Sequence, residues 1–509
     1  MEAKFGSCLS IALDGLSGTK VETQAHICAG IPSTTIVGLP DTSLQEAKDR
    51  VKAAVISSGL DWTEYKLTIN LIPASIRKAG SGFDLSIAIC VLAAMDKIDK
   101  KSVEQVAFIS ELGLDGQLQS VQGVLPSAIA AKKANIKTIV VSKENEAEAK
   151  LIDGINVLSF SHLTQVINYF GGSVNQICVK EKSKKTEEKN DDAPLDFAEV
   201  LGQDNAKWAM MVAAAGGHHI LMVGPPGTGK TMLASRMTSI LPELNFEEAL
   251  EVTSIHSIYG KALNKLITVP QFIAPHNTAT APAIIGGGAS KYIKPGAISL
   301  AHQGVLFLDE APEFSPLVLQ TLRQPLESGV ITIDRVSKTV KYPARFQLIM
   351  ACNPCPCGMS LNKGVHCTCT AIQKRRYFSR LSGPLLDRID IQIIVNNISK
   401  NDMDYNKNSL SSAQMKDKVL QARAASAERF QKTPWKLNSQ IPGSYLRSMI
   451  GQQSKAVLKL KDYVDKGTLS LRGMDRTLRL AWSIADLESI SSPTLDHIDQ
   501  ALFYRTRIK

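Results

Sequence analysis

One string decides most of what this chain can fold into. Gly224-Pro-Pro-Gly-Thr-Gly-Lys-Thr231 follows the apolar run Ile220-Leu-Met-Val223 and precedes a helical stretch over 232–238. A short apolar run bounded by glycine and proline reads as a buried strand. Strand, glycine-rich turn and helix in that order put the loop at a strand's C-terminal end. Across Gly224, Pro225, Pro226, Gly227, Thr228 and Gly229, the glycines let backbone N–H groups turn inward around phosphate oxygens. The helix N-terminus adds a positive dipole. Lys230 is placed to reach the β- and γ-phosphates, and the Thr231 hydroxyl to ligate Mg²⁺. ATP and Mg²⁺ are therefore expected. The fold is expected to be α/β, with a parallel sheet and its functional loops at the strand C-termini.

Two further apolar runs supply partners. Val305-Leu-Phe-Leu308 ends at Asp309 and Glu310. Asp309 is expected to hold Mg²⁺, directly or through water, and Glu310 to polarise an attacking water. Phe346-Gln-Leu-Ile-Met350 ends at Ala351-Cys-Asn353. Asn353 stands where a polar side chain orients water against a γ-phosphate; alone, it reads as a turn residue. Arg388, in Ser382-Gly-Pro-Leu-Leu-Asp-Arg-Ile-Asp390, is placed to face a neighbouring subunit's nucleotide. An arginine there stabilises charge in phosphoryl transfer. Arg476, in the helical run 474–490, is placed to reach a γ-phosphate from a lid. A surface ion pair is the simpler reading of either arginine.

The chain has 509 residues, with 58 Lys+Arg against 48 Asp+Glu and a net charge of +10. At about 150 residues per domain, that length suggests two or three domains. The stretch 180–192 holds five lysines and five acids, so it reads as a charged linker within 173–193. Before it, 1–172 alternates strand-like Lys66-Leu-Thr-Ile-Asn-Leu-Ile72, helical 83–95 and 127–134, and strand-like Thr138-Ile-Val-Val-Ser142. This is a second α/β domain. After it come a nucleotide core over 194–395 and a helical region over 396–509, with amphipathic runs at 415–430, 444–464 and 474–490. No apolar run approaches the ~18 residues of a membrane span. The start lacks a signal peptide's pattern. A cytoplasmic chain with no membrane partner is expected.

Five of the nine cysteines crowd into 352–369. Cys355-x-Cys357 and Cys367-x-Cys369 are separated by nine residues. Two close pairs across a short loop suit tetrahedral Zn²⁺ in a closed, structural site. Cys352 and His366 are alternative ligands, and an iron–sulfur cluster is the minor alternative. Over 330–343, two alternating runs flank a polar turn carrying Arg335 and Lys338. This reads as a β-hairpin whose basic residues meet DNA phosphates, or are simply solvated. A glycine-rich insertion at 274–294 carries Lys291 and Lys294 and is a second candidate DNA contact.

These strings resemble the AAA+ ATPases of the magnesium-chelatase-like group, in particular its YifB/ComM type. The resemblance rests on Ala274-Pro-His-Asn-Thr278, Ile285-Gly-Gly-Gly288, Pro295-Gly-Ala-Ile-Ser-Leu-Ala-His302, Gly304-Val-Leu-Phe-Leu-Asp-Glu310, Asn353-Pro-Cys-Pro-Cys-Gly358 and Arg380-Leu-Ser-Gly-Pro-Leu-Leu-Asp-Arg-Ile-Asp390. Val37-Gly-Leu-Pro-Asp41 and Asn70-Leu-Ile-Pro-Ala74 extend it to the N-terminal part. Asn277 departs from it, standing where the group more often has a second histidine.

The resemblance implies that Asn353 is a first sensor, Arg388 an arginine finger acting in trans and Arg476 a second sensor, with Arg472 and Arg479 as competitors. It implies a homo-hexameric ring and a hairpin that projects into the pore. It also implies a DNA helicase acting on single-stranded and branched DNA, which drives branch migration during natural transformation and homologous recombination. The alternative is a chelatase-like motor serving porphyrin metallation. The N-terminal part resembles the Lon-type peptidase domain. There Gly82 and Leu125 occupy the positions of the nucleophile and its lysine, with Ser81 beside the first, so an inactive domain is implied.

Overall fold

The computed structural model describes residues 3–38, 41–76, 78, 80–177, 195–261, 263–287, 293–335, 338–360, 367–397, 410–450 and 454–505. Most of the expected linker lies outside the described residues, as do Lys291 and His366.

The N-terminal domain is built on a seven-stranded mixed sheet. Its spatial order is Ser33–Val37, Lys66–Ile72, Ser17–Cys28, Lys4–Asp14, Val106–Ile109, Thr138–Ser142 and Asn156–Phe160. Lys4–Asp14 and Ser17–Cys28 form a long antiparallel hairpin. Successive side chains of a strand point to opposite faces. Cys8 and Ala12 accordingly enter one apolar cluster, Leu9 and Ile11 the other. The helix Asp84–Ala94, buried along its whole length, fills the first face. The helix Val124–Lys133 covers the second.

Of the positions compared with the Lon-type domain, Ser81 and Leu125 are engaged within the fold, and Lys78 nearby is as well. Ser81 donates its hydroxyl to the Glu111 carboxylate. Lys78 donates to the Pro73 carbonyl. Leu125 is fully buried. Nearby, Arg50 grips the buried Asp84 carboxylate at 2.7 and 3.2 Å. Burial still lifts that carboxyl to about 6, against the pull of Arg50.

The second sheet has five strands, all parallel, in the order Phe272–Ile273, Val305–Leu308, Gln347–Cys352, Ile220–Val223 and Ile391–Ile394. Its three inner strands are buried on both faces, which explains their near-continuous apolar sequences. Ile220, Met222, Val305 and Phe307 face one cluster, while Leu221, Val223, Leu306 and Leu308 face the other. The first cluster also takes in Met415, Leu446, Leu460, Leu478 and Ile498 from the C-terminal helices. These are Ser412–Arg429, Gly443–Ile450, Lys455–Asp465, Leu471–Leu487 and Leu495–Arg505. Helical lid and sheet thus share one core. The single helix expected over 444–464 is two helices, because the Ser454 hydroxyl caps a new start by accepting from the Val457 N–H at 3.2 Å.

The helix Phe246–Tyr259 joins the two domains. Leu250 packs into the N-terminal domain's second cluster. The Gly123 N–H donates to the Ser257 carbonyl at 3.3 Å. The Ser257 hydroxyl donates to the buried Glu148 carboxylate, which also accepts from the Leu125 N–H at 2.9 Å. Among the described residues, no helix is long and apolar enough to cross a membrane.

Phe307 is 2% exposed, and its ring stacks on Phe272 with centroids 5.7 Å apart. Phe307→Ala should destabilise the core by about 3–5 kcal/mol. The urea unfolding midpoint is the measurement, and an unchanged midpoint would contradict this packing.

Candidate functional site

The parallel register sets three strand ends side by side. Val223 lies opposite Cys352, and Leu308 opposite Met350. Gly224, Asp309 and Asn353 therefore leave the sheet along one edge. The phosphate loop turns there, with Gly227 at φ 79° and Gly229 at φ 85°, a left-handed region that only glycine enters freely. Gly229 caps the helix Lys230–Ser235. Backbone N–H groups and a helix start thus converge on one concavity.

The side chains of the loop and its neighbours are already connected. The Lys230 ammonium donates to the carbonyls of Gly224 at 2.7 Å and Pro225 at 2.8 Å, and lies 3.4 Å from Asn353 Oδ1. It is 8% exposed. Burial lowers its pKa, partly offset by the Asp309 charge. Thr231 donates its hydroxyl to Asp309 Oδ2 at 2.8 Å. Asp309 Oδ1 accepts from the Glu310 N–H at 2.9 Å. Lys230, Thr231, Asp309, Glu310 and Asn353, five residues singled out in sequence, are therefore brought together. An oxygen pair from Thr231 and Asp309 fits a hard divalent cation such as Mg²⁺.

Glu310 adopts φ 49°, ψ 44°, rare for a non-glycine residue. Its Oε2 accepts from Asn277 Nδ2 at 2.8 Å. Sequence reasoning marked Asn277 only as a departure from a pattern. Its sequence signal was a polar residue soon after a short edge strand, and that signal is weak.

Both arginines are held elsewhere. Arg388 pairs with Glu327 and donates to the Pro384 carbonyl at 2.6 Å. Arg476 donates to Asp390 Oδ1 at 3.0 Å. Asp390 immediately precedes Ile391, which lies opposite Ile220, at the end of the sheet away from the phosphate loop. Four residues of strand, about 13 Å, separate that end from the loop. In this arrangement Arg476 does not reach its own chain's phosphate site, because its charge is engaged by a buried carboxylate. Arg479 donates to the Ile441 carbonyl at 2.7 Å, and Arg472 is exposed in the first turn of the same helix.

The cysteine sulfurs of 355, 357, 367 and 369 lie within 4.8 Å of one another. Cys352 stands apart from that group. It is a core residue of the sensor strand, 1% exposed, with its thiol pushed up to about 12 by burial.

The basic hairpin is present as Val330–Arg335 and Lys338–Pro343, with Arg335 opposite Lys338 at the tip. Ile331, Ile333, Val340 and Tyr342 point into the core. Tyr342 donates its hydroxyl to the Ile293 carbonyl at 2.6 Å. Lys294 lies on a two-residue strand pairing with Gly286–Gly287. The hairpin and the second insertion are therefore adjacent at their bases.

A five-stranded parallel sheet with these loop residues defines an AAA+ type nucleotide-binding fold. Three family descriptions match along the chain. "Magnesium chelatase, subunit ChlI" covers 196–403, "Subunit ChlI of Mg-chelatase" 22–145, and "Magnesium chelatase, subunit ChlI C-terminal" 409–505. An uncharacterized protein of Mycobacterium tuberculosis is 42% identical over 503 residues, 98% of each chain. The competence protein ComM of Haemophilus influenzae is 39% identical over 501 residues, 97% of this chain and 96% of the relative. The uncharacterized protein YifB of Escherichia coli is 39% identical over 497 residues, 96% and 95%. The chain belongs to the YifB/ComM-type magnesium-chelatase-like family.

Asn277→Ala removes the amide that holds the Glu310 carboxylate. A hydrogen bond to a charged group contributes about 1.5–3 kcal/mol. Basal ATP turnover should rise by about tenfold or more as Glu310 is released. A fall in turnover would instead assign Asn277 to positioning Glu310 productively.

Proposed function

We propose that this chain is an Mg²⁺-dependent ATPase working as a homo-hexameric DNA motor. On this reading it promotes branch migration on single-stranded and branched DNA during natural transformation and homologous recombination, in the cytoplasm. The observation that carries the ATPase part is the connected set Thr231–Asp309–Glu310 beside Lys230 and Asn353. Lys230 exchanges its loop carbonyls for β- and γ-phosphate oxygens. Thr231 and Asp309 hold Mg²⁺, which neutralises phosphate charge when bound. Glu310, once released by Asn277, accepts a proton from the attacking water, and Asn353 orients that water.

Arg388 is engaged by Glu327 and the Pro384 carbonyl rather than by the residues gathered around Lys230. A role in phosphoryl transfer therefore requires a neighbour's nucleotide, which favours a ring. Glu327 is the partner Arg388 gives up on docking. Likeness to a competence protein supports the DNA assignment. So do the paired insertions carrying Arg335, Lys338, Lys291 and Lys294. Cys355, Cys357, Cys367 and Cys369 are assigned to structural Zn²⁺. A chelatase-like motor acting on a protein or porphyrin-metallation complex is the second reading, favoured by the three ChlI family descriptions.

Branched DNA separates the two. On the DNA reading it stimulates ATP turnover and strand exchange proceeds; turnover indifferent to DNA points to the chelatase-like reading. Glu310→Gln should lower turnover by about 100-fold or more while nucleotide binding persists. Arg335→Ala and Lys338→Ala should each reduce the slope of log affinity against log salt by about 0.7 for single strands. Unchanged slopes would remove the hairpin from the DNA path.

A further inference from the structure

The cysteine loop touches the phosphate loop. Gly358 sits at φ 79°, and a Cβ there would lie 2.7 Å from Pro226 Cδ and 2.8 Å from Cγ. Its N–H donates to the Cys355 carbonyl at 2.9 Å, closing a tight turn over the two cysteines of the first pair. That turn lies directly against the second proline of Gly224-Pro-Pro-Gly227, and only a residue without a side chain allows so close an approach. The same turn follows Asn353, whose amide carbonyl is 3.4 Å from Lys230.

The other side of the loop is anchored as well. Past Cys369, the Thr370 hydroxyl caps the helix Ala371–Ser379 by accepting from the Gln373 N–H at 3.2 Å. Tyr377 of that helix is 6% exposed, and its hydroxyl lies near enough to the Asn353 backbone to be influenced by it. Both ends of the cysteine loop thus lead back to residues of the nucleotide site.

The sulfur geometry selects the ligand class. Cys355 and Cys357 are 3.3 Å apart, and each lies 3.6 Å from Cys367. A tetrahedron of thiolates at about 2.3 Å from Zn²⁺ has edges of about 3.8 Å. Four sulfurs drawn this close without disulfide bonds are a ready tetrahedral site for a thiophilic divalent cation. The start of the helix Ala371–Ser379 favours the negative charge of such a thiolate set.

We propose that Zn²⁺ bound by Cys355, Cys357, Cys367 and Cys369 clamps the phosphate loop through the Gly358–Pro226 contact, so that nucleotide affinity depends on the metal. This rests on the nucleotide-site reading above. Binding deprotonates the four thiols and fixes the turn. With the metal gone, no bond ties the four thiols to one centre, and the turn behind Pro226 is free to give. Linkage makes the effect reciprocal: bound nucleotide must tighten the metal by the same factor.

The full-length protein, zinc-loaded and chelator-stripped, is titrated with a fluorescent ATP analogue, with zinc counted by elemental analysis and helix content followed by circular dichroism. Stripping should weaken nucleotide binding about tenfold or more, within the usual range for coupled sites, and added Zn²⁺ should restore it. Saturating ATP should slow zinc extraction. Gly358→Ala should keep its zinc yet bind nucleotide more weakly, and this variant is decisive if stripping unfolds the chain. Unchanged affinity in folded, zinc-free protein overturns the proposal, as does native affinity in zinc-loaded Gly358→Ala. Failure to take up zinc at all overturns it too. Zinc-loaded protein that binds no nucleotide overturns the nucleotide reading itself, and this proposal with it.

Discussion

The parallel ladder joining Ile220–Val223, Gln347–Cys352 and Val305–Leu308 is the constraint on which the rest depends. These strands carry few polar side chains to fix their alignment. A slip of one residue would move a strand end by about 3.3 Å and turn every side chain to the opposite face. The 2.8 Å contact between Thr231 and Asp309 would not survive that shift. The alternation of side chains between two different apolar clusters opposes it. One face is filled by the helical lid, the other by short helices and the hairpin root. Packing on both faces is thus what holds the polar residues of the strand ends in reach of each other.

The opposite end of the same sheet carries a second polar network. Asp390 accepts from Arg476 at 3.0 Å and contacts His218 Nδ1 at 3.1 Å, while His218 Nε2 meets the Ser483 hydroxyl at 2.8 Å. Burial opposes the charge of Asp390, yet His218 and Arg476 hold its carboxyl well below the usual carboxylate range. Ser483 and Arg476 both stand on Leu471–Leu487, so this network ties the lid to the sheet. Arg429 reinforces it from a second lid helix, pairing with Asp486 and stacking 4.0 Å over the Trp482 ring. Breaking one partner away would strand a buried charge. The lid and the sheet are therefore one body, and the helix bearing Arg476 does not swing toward the phosphate loop without that loss. Arg472, one turn earlier, lies outside the network.

The residues gathered at the strand ends were legible as candidates because the chemistry expected of them needs fixed spacing within continuous strings. The phosphate loop follows its strand, and the two acids follow theirs. The pairing of Arg476 was not legible for a physical reason. Its engagement depends on Asp390, 86 residues away, and no periodicity reports such a pairing. Asn277 was hidden likewise, since its partner Glu310 is brought to it only by the pairing of Phe272–Ile273 with Val305–Leu308. The split at Ser454 was readable in principle, as a serine cap before an apolar run. The N-terminal hairpin Lys4–Asp14 and Ser17–Cys28 left a weaker trace. Its strands are buried on alternating faces, and both faces of the sheet are covered.

The N-terminal domain braces the core at two places rather than hanging from it. Gly15, in the turn of its first hairpin, packs so closely on the basic hairpin that a Cβ there would lie 3.0 Å from Val340 Cγ1 and 3.2 Å from the Lys341 carbonyl. The helix Val124–Lys133 meets Phe246–Tyr259 through Glu148 and Ser257. That second helix also carries Glu251, which binds His302 at 2.9 Å, and His302 Nδ1 accepts from the Arg345 N–H at 3.0 Å. His302 leads into the strand ending at Asp309, and Arg345 follows the basic hairpin. One helix thus touches the N-terminal domain, the root of the acidic strand and the root of the hairpin. On the motor reading this is the stiffness the hairpin requires. A lever that pulls on DNA transmits force only if its base does not yield. Here the base is held by a buried carboxylate, a histidine hydrogen-bonded to Glu251 and to the Arg345 backbone, and a second domain, while the tip at Arg335 and Lys338 lies beyond them.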